Sequence, residues 1–459
     1  MSRAKVSDSA SSPVSSTASL GRPLWTDGAI VAAQERQATW KSPAIRALLG
    51  EAQASWGKLL FPTPKIESWK YTNTEPIATG SFVCKVPVTS NLSVEDLTPY
   101  FLPVTSSENS TPRLVWVDGA FSQLLSSVDL PAGVEFFTTA HITSGEHEDL
   151  AALVGSTGGH RSAEFAALAT ALMSEVVCLR AKAGVVTRGP INLLYVTTQE
   201  STGSVQVPRV LAVVGENANL SVVESFVSVG SERYLSIPIV EAFVAEGGHF
   251  DHVKIQTEHE SASHMSHMTV EQRRSSTSSA HVFSFGGSLV RNSVDVELLG
   301  SGCHGVVNGL SLLVGDQHVD NTTNIHHVEP SSESRELFKG VYSDQSRGVF
   351  SGTIVVESEA QKTNAFQSNQ SLLLSPNASI ETRPQLKIWA DDVKCTHGAT
   401  IGQLDNDALF YLRSRGIDQE TARHFLVRAF VSEVLTTVKC EGTRQRVAEL
   451  ISVKLGAVA

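Results

Sequence analysis

The sequence predicts a mostly β protein, a parallel β-helix flanked by N-terminal and C-terminal α-helical regions. Three observations predict it. From roughly residue 185 to 402, short β-branched runs are separated by Gly, Asn, Asp or Ser turns. The same stretch holds no amphipathic helix long enough to cover a parallel α/β sheet, which excludes a doubly wound fold. Turn-plus-strand units also recur: GENANLSVVESF from Gly215, EGGHFDHVKIQT from Glu246, GSGCHGVVNGLSLLV from Gly300, SRGVFSGTIVVES from Ser346 and SPNASIETRPQLKIW from Ser375. The unequal intervals between these starting points suggest one rung or two per unit. A solenoid of strands solves the edge problem by stacking each coil on the last. An antiparallel sandwich is the competing reading of the pattern.

Composition bounds the class. The 459 residues leave room for two or three domains, or for one elongated domain with appendages. Lys plus Arg at 36 against Asp plus Glu at 47 gives a net charge of −11, which argues against a nucleic-acid partner. The five cysteines (Cys84, Cys178, Cys303, Cys395, Cys440) are scattered and form no C-x-x-C pair, so neither a disulfide framework nor a structural zinc site is indicated. No apolar stretch is long enough to span a bilayer, and the opening residues lack the apolar segment of a secretory signal. A cytoplasmic protein that does not engage membranes is expected.

The elements follow in order. Residues 1–26 read as a disordered Ser-rich tail, with an organellar transit-peptide remnant, and hence a plastid stroma, as the alternative. Residues 27–180 read as a helical and mixed region. From Asp27 to Leu60 apolar residues fall at helical spacing, with a break at Ser42-Pro43 followed by the stripe Ile45, Leu48, Leu49, Ala52, Trp56 and Leu59. FPTPKIESWKYTN, from Phe61, leaves the helical pattern at Pro62 and Pro64 and reads as a fixed connector. Arg113 to Asp118 reads as a strand. A further helix is expected from Ala163 to Val177, with Phe165, Leu168, Leu172 and Met173 near one face. Residues 181–402 form the β-helix core. In 403–459 helices return, with Asp405 and Asp418 as N-caps and Gly416 as the left-handed stop between them. On the second of these helices Ala422, Phe425, Leu426, Ala429 and Phe430 form an apolar stripe. Val427, Val431, Val434 and Val438 widen it, and Glu433 interrupts it. A stripe this wide can cap the solenoid and dock another subunit.

Candidate chemistry concentrates at Cys395 and His397. Two positions apart on a strand means one face, and thiolate and imidazole are side chains that bind iron or accept sulfur. Lys394 beside them could lower the thiol pKa. Two ligands do not complete a four-coordinate site, so other groups would have to come from elsewhere, most simply from another subunit. The competing structural reading buries both residues. Ten more histidines fall in the solenoid (His249, His252, His259, His264, His267, His281, His304, His318, His326, His327) and are expected to be solvated on its turns. Cys303 and His304 point to opposite faces and read as structural. Gly300 to Gly305 spells G-x-G-x-x-G, but a β-branched run follows where a dinucleotide site needs a helix. There is no P-loop, so ATP-driven work would need a separate ATPase. Asp391-Asp392 leaves open a β-helix enzyme acting on carbohydrate, although consecutive strand residues diverge.

The stretch from Ser288 to Ser375 and the run DDVKCTHGATIGQLDNDALFYLRSRGI from Asp391 closely resemble the SufB/SufD family of the Suf iron–sulfur cluster assembly system. ESWKYTN, from Glu67, resembles that family's N-terminal E-x-W-K/R-Y/F-T element. His397-Gly-Ala-Thr followed by Ile401-Gly-Gln-Leu is similar to the SufD branch, and the cysteine cluster near the N-terminus of SufB is missing. The resemblance implies a right-handed parallel β-helix that pairs with SufB, and a C-terminal helical region that docks the SufC ATPase. It implies a non-catalytic scaffold role for this chain. His397 would be its ligand to a nascent iron–sulfur cluster at the SufB interface, with Cys395 a nearby thiol of less defined role. A flavin in the complex, and a homodimer when SufB is absent, are left open by it. Lys387 and Trp389 depart from the family, which commonly has Glu and Tyr there.

Overall fold

The computed structural model describes residues 22–59, 61–85, 91–103, 111–157, 163–230 and 233–456. The tail expected over 1–26, and with it the transit-peptide alternative, lies outside them up to residue 21. From there the chain soon turns helical, in Leu24–Gln37.

Beyond residue 218 the strands alternate between two sheets. Sheet A takes Asn219–Val229, His249–Thr257, Thr277–Ser284, His304–Leu313, Glu333–Tyr342, Asn364–Leu373 and Lys394–Gly402. Sheet B takes Ile239–Val244, Ser263–Gln272, Leu289–Leu298, His318–His327, Arg347–Val356 and Ser379–Ile388. All neighbours pair in parallel, each residue with its counterpart one coil on, as in Ser263 with Leu289 and Arg347 with Ser379. The chain is therefore a parallel β-solenoid with two strands per coil. The irregular spacing of the repeat units now has a cause, because those from Gly215, Glu246 and Gly300 open strands of sheet A, whereas those from Ser346 and Ser375 open strands of sheet B.

One corner sets the stacking. Gly184, Asn217, Gly247, Ser275, Gly302, Ser331 and Lys362 all have φ between 51° and 73°. Each donates its backbone N–H to a carbonyl of the next coil (Glu216, Glu246, Arg274, Ser301, Pro330, Gln361 and Asp392) at 2.7 to 3.2 Å. Four of the seven are not glycine, and each of these carries a steric cost of about 1–2 kcal/mol. The repeated bond offsets much of it, a backbone hydrogen bond contributing about 0.5–1.5 kcal/mol net.

The two ends differ. At the N-terminal end sheet A is closed by Arg113–Val117 and its antiparallel partner Ala120–Phe121, and sheet B by Val134–Phe137, antiparallel to Glu175–Ala181. The helix expected from Ala163 to Val177 is shorter, Ala163–Ala171. Val176 and Val177 instead enter a strand paired with Pro208–Val214, because β-branched residues fit a buried sheet better than a helix. Ser42 caps Pro43–Trp56 by accepting from Ile45 N at 3.3 Å, and Ile45, Leu49, Ala52 and Trp56 are buried. At the C-terminal end Lys394–Gly402 and Ser379–Ile388 each have one neighbour among the described residues.

The E-S-W-K-Y-T-N connector is bolted to sheet B. Trp69 is buried with the Arg291 guanidinium 3.9 Å above its ring. Arg291 pairs with Asp320, which also accepts from Thr72 Oγ1 at 2.5 Å. Glu67 pairs with Arg383 on the last strand of sheet B.

The solenoid histidines are not simply solvated turn residues. His252, His264, His267, His281 and His327 are buried, because strand alternation turns them inward or beneath the C-terminal helices. His252 meets Glu224 at 2.8 Å and His264 meets Glu258 at 2.7 Å. On the outer face of sheet B, His326 spans three coils, with Nδ1 2.7 Å from Glu297 and Nε2 2.8 Å from Glu357. Its hydrogen bond to Glu297 raises its pKa, against the opposing effect of partial burial.

The caps Asp405 and Asp418 accept from Ala408 N and Thr421 N, and Gly416 is left-handed, as the sequence indicated. The packing face differs. Val427, Val431, Val434 and Val438 are buried against Val253, Phe283, Leu310 and Val341 on the outer face of sheet A, whereas Phe425 is 51% exposed. The helices Gln419–Thr436 and Glu441–Leu455 thus lie along the side of the solenoid and do not cap its end. Glu433, which interrupts the stripe, pairs with the buried Lys339 at 2.6 Å.

Two outcomes follow from this packing. Gly247→Val places a β-branched residue at φ 64° and presses its Cβ on Asn217 Oδ1, so denaturant unfolding should show a loss of about 1–3 kcal/mol. His326 has a raised pKa in the folded state, so its contribution is full below the unfolded value of about 6.5 and fades as pH rises through the folded value. The stability gap between the parent and His326→Gln should therefore widen as pH is lowered from about 8 to about 6, and a constant gap would refute this role.

Candidate functional site at the open end of the solenoid

Lys394–Gly402 is the last strand of sheet A and pairs only with Asn364–Leu373 among the described residues. Cys395 stands opposite Ala365 and His397 opposite Gln367. Ala365 and Gln367 are buried inside the solenoid. Cys395 and His397 continue those inward-facing columns, but no further coil among the described residues covers them. Cys395 is half-buried beside Ile354, Val356 and Ala390, while His397 is exposed. The reading in which both residues are buried is therefore corrected: the end of the stack presents His397 to solvent.

Burial raises the Cys395 pKa, opposed by a backbone hydrogen bond from Ala365, while Lys394, one position away on the strand, points to the opposite face. Beneath His397, Gln367 Nε2 donates to Glu336 Oε2 at 2.6 Å, and burial pushes the Glu336 carboxyl up to about 7.

The facing strand is Ser379–Ile388. Within it Ser379 N bonds Ser346 O, and Trp389 N just beyond it bonds Val356 O, so odd-numbered N–H groups point into the sheet. Pro384, at an even position, therefore lacks the donor that would face outward. Proline within sheets is confined to such edges, a sequence signal that could have marked this strand as terminal. Lys387 is exposed and Trp389 is 58% exposed at the rim of this end.

The other candidates are placed elsewhere. Among the described residues no group of three or more His, Cys, Asp or Glu side chains is assembled to hold a metal ion. Cys303 is buried with Sγ 3.1 Å from the Gly300 and Arg273 carbonyl oxygens. The Gly300–Gly305 run is a corner turn leading into His304–Leu313, a strand, so it is no dinucleotide loop. Asp392 pairs with Lys362 across the last corner, and Asp391, one position away, carries no partner role in this arrangement that points to carbohydrate chemistry. No helix is long and apolar enough to cross a membrane among the described residues.

Residues 195–430 match the family described as "SUF system FeS cluster assembly, SufBD core domain". The chain is 30% identical over 426 residues to the iron–sulfur cluster assembly protein SufD of Escherichia coli, covering 92% of this chain and 95% of that protein. It is 30% identical over 406 residues to an iron–sulfur cluster assembly SufBD family protein of Synechocystis, covering 86% and 88%. The same identity over 406 residues relates it to the chloroplastic protein ABCI7 of Arabidopsis thaliana, covering 86% and 83%. With a parallel solenoid and helical regions at both ends, the chain belongs to the SufB/SufD family of iron–sulfur cluster assembly proteins, as a SufD-type member.

Proposed function

We propose that this chain is a non-catalytic scaffold subunit that contributes one half of an iron–sulfur assembly site and receives the other half from SufB. The observation that carries the reading is the uncovered end of the solenoid, where His397 is exposed on a strand with one free edge. An unpaired edge is a template for a strand of another chain, and His397 with Cys395 supplies two of the ligands a cluster or iron ion needs. The nascent cluster is cargo, held transiently between subunits. Iron binding would displace the Cys395 proton that burial otherwise retains.

The proposed SufC dock is the hairpin of Asn406–Ser414 and Gln419–Thr436. Its inner valines are committed to sheet A, yet Phe410 is 72%, Tyr411 57% and Phe425 51% exposed. Aromatic side chains gathered on one helical hairpin are the kind that anchor interfaces. The proposed compartment is the cytoplasm, with the plastid stroma as the alternative suggested by the naming of the Arabidopsis relative. No residues are assigned to a flavin, and self-pairing through the same edge is the expected competitor when SufB is absent.

Two experiments test this reading. The chain co-expressed with SufB and SufC should lose about tenfold or more of its iron and acid-labile sulfide in His397→Ala, as even residues that only support a ligand cost that much. An unchanged yield would remove His397 from the site. Ala399 has its N–H on the free edge, because Lys394 N bonds Thr363 O and even positions face the sheet. Ala399→Pro should therefore leave the intrachain ladder intact while sharply reducing SufB recovered by co-purification. Full recovery with an unchanged melting temperature would refute pairing through this strand.

A further inference from the structure

Glu336, Gln367 and His397 are successive members of one inward-facing column, Cα partners across three adjacent strands of sheet A. Partners in a parallel ladder project from the same face about 4.8 Å apart, so Gln367 lies directly beneath His397. Gln367 is fully buried. Its Nε2 donates to Glu336 Oε2, and the ionised carboxylate can only accept, so with Glu336 ionised the amide nitrogen faces Glu336. The amide oxygen, on the same carbon as that nitrogen, is then turned away from Glu336. That oxygen has no hydrogen-bond partner within the chain. Folded proteins leave few such atoms. Room for the amide is made on the opposite sheet by Gly352, where a Cβ would overlap Gln367 Nε2.

We propose that Gln367 is a positioning residue for His397: its Oε1 accepts from the ring Nδ1–H and fixes the tautomer whose Nε2 lone pair points out of the solenoid end. Histidines that bind metals commonly donate their second N–H to an oxygen of the protein, which orients the ring and sets the free nitrogen. Here the oxygen comes from a side chain held by the coil below, so the ligand's direction is inherited from the solenoid interior. The proposal rests on the reading of His397 as an iron ligand, but the contact itself can be read without iron.

The test is the tautomer of His397 in the full chain labelled with 15N-histidine, with its resonance identified by loss in His397→Ala. At mildly alkaline pH, with Glu336 ionised, the parent should show the Nδ1–H form. Gln367→Met, which keeps length but removes the acceptor, should shift His397 to the Nε2–H form that free histidine prefers. Glu336→Gln still offers an oxygen to the Gln367 amide and should match the parent. An Nε2–H form in the parent overturns the proposal whether or not Gln367→Met folds, and so does an unchanged tautomer in a folded Gln367→Met. In the complex, Gln367→Met should lower iron and sulfide by about tenfold, and an unchanged yield where His397→Ala lowers it would also overturn the positioning role. If His397→Ala itself leaves the yield unchanged, the ligand reading fails, while the tautomer result still decides the contact.

Discussion

Each coil of this protein satisfies its backbone only through the coils beside it, and the corner at which one coil hands over to the next governs everything else. Seven residues in left-handed conformation, from Gly184 to Lys362, donate to the following coil at nearly constant geometry. Because four of them are not glycine, the corner costs backbone strain that only the stacking offsets. The same dependence makes the ends unequal. Antiparallel strands close the first coil, whereas the last leaves two strands with free edges among the described residues. The candidate site is a direct consequence: residues that would be core in any earlier coil become surface in the final one.

The interior is less apolar than a solenoid core needs to be. Ala212, Ala242, Val270, Val296 and Ile325 form a continuous apolar stack, but Lys254, Glu224, Glu258, His252 and His264 are buried in the same solenoid. Burial pulls the Lys254 pKa down to about 7, against the pull of Glu224 and Glu258. Such groups are tolerated because each is paired; removing one partner would leave an uncompensated charge, at a cost of about 3–5 kcal/mol. Along the column that ends at His397 the polar members, Glu336 and Gln367, are neighbours of the exposed histidine, so buried chemistry runs up to the open end.

The C-terminal helices show how shape selects among apolar faces. Val427, Val431, Val434 and Val438 present short side chains that let the helix approach sheet A, and Lys339 draws Glu433 to the same flank. The bulkier Phe410, Tyr411 and Phe425 are left outside. The C-terminal helices therefore hold the solenoid wall with one face and leave aromatic side chains exposed on another.

Turn residues, β-branched runs and helix caps are local signals, and they were enough for the repeat, the breaks at Ser42 and Gly416, and the family through its long match. Cys395 and His397 were legible as a pair on one face because strand alternation is local too. The sequence alone could not show that Val176 and Val177 belong to a strand, since the deciding partner, Pro208–Val214, comes a whole coil later along the chain. Nor could it show which histidines are buried, which helix face meets sheet A, or that Gln367 lies beneath His397. Those outcomes depend on register between coils, between residues as far apart in sequence as Ser263 and Leu289 or Arg347 and Ser379, and the local pattern carries no term for it. Sequence thus determined a coil and its chemistry, and the stacking of coils decided that this chemistry stands uncovered at the end.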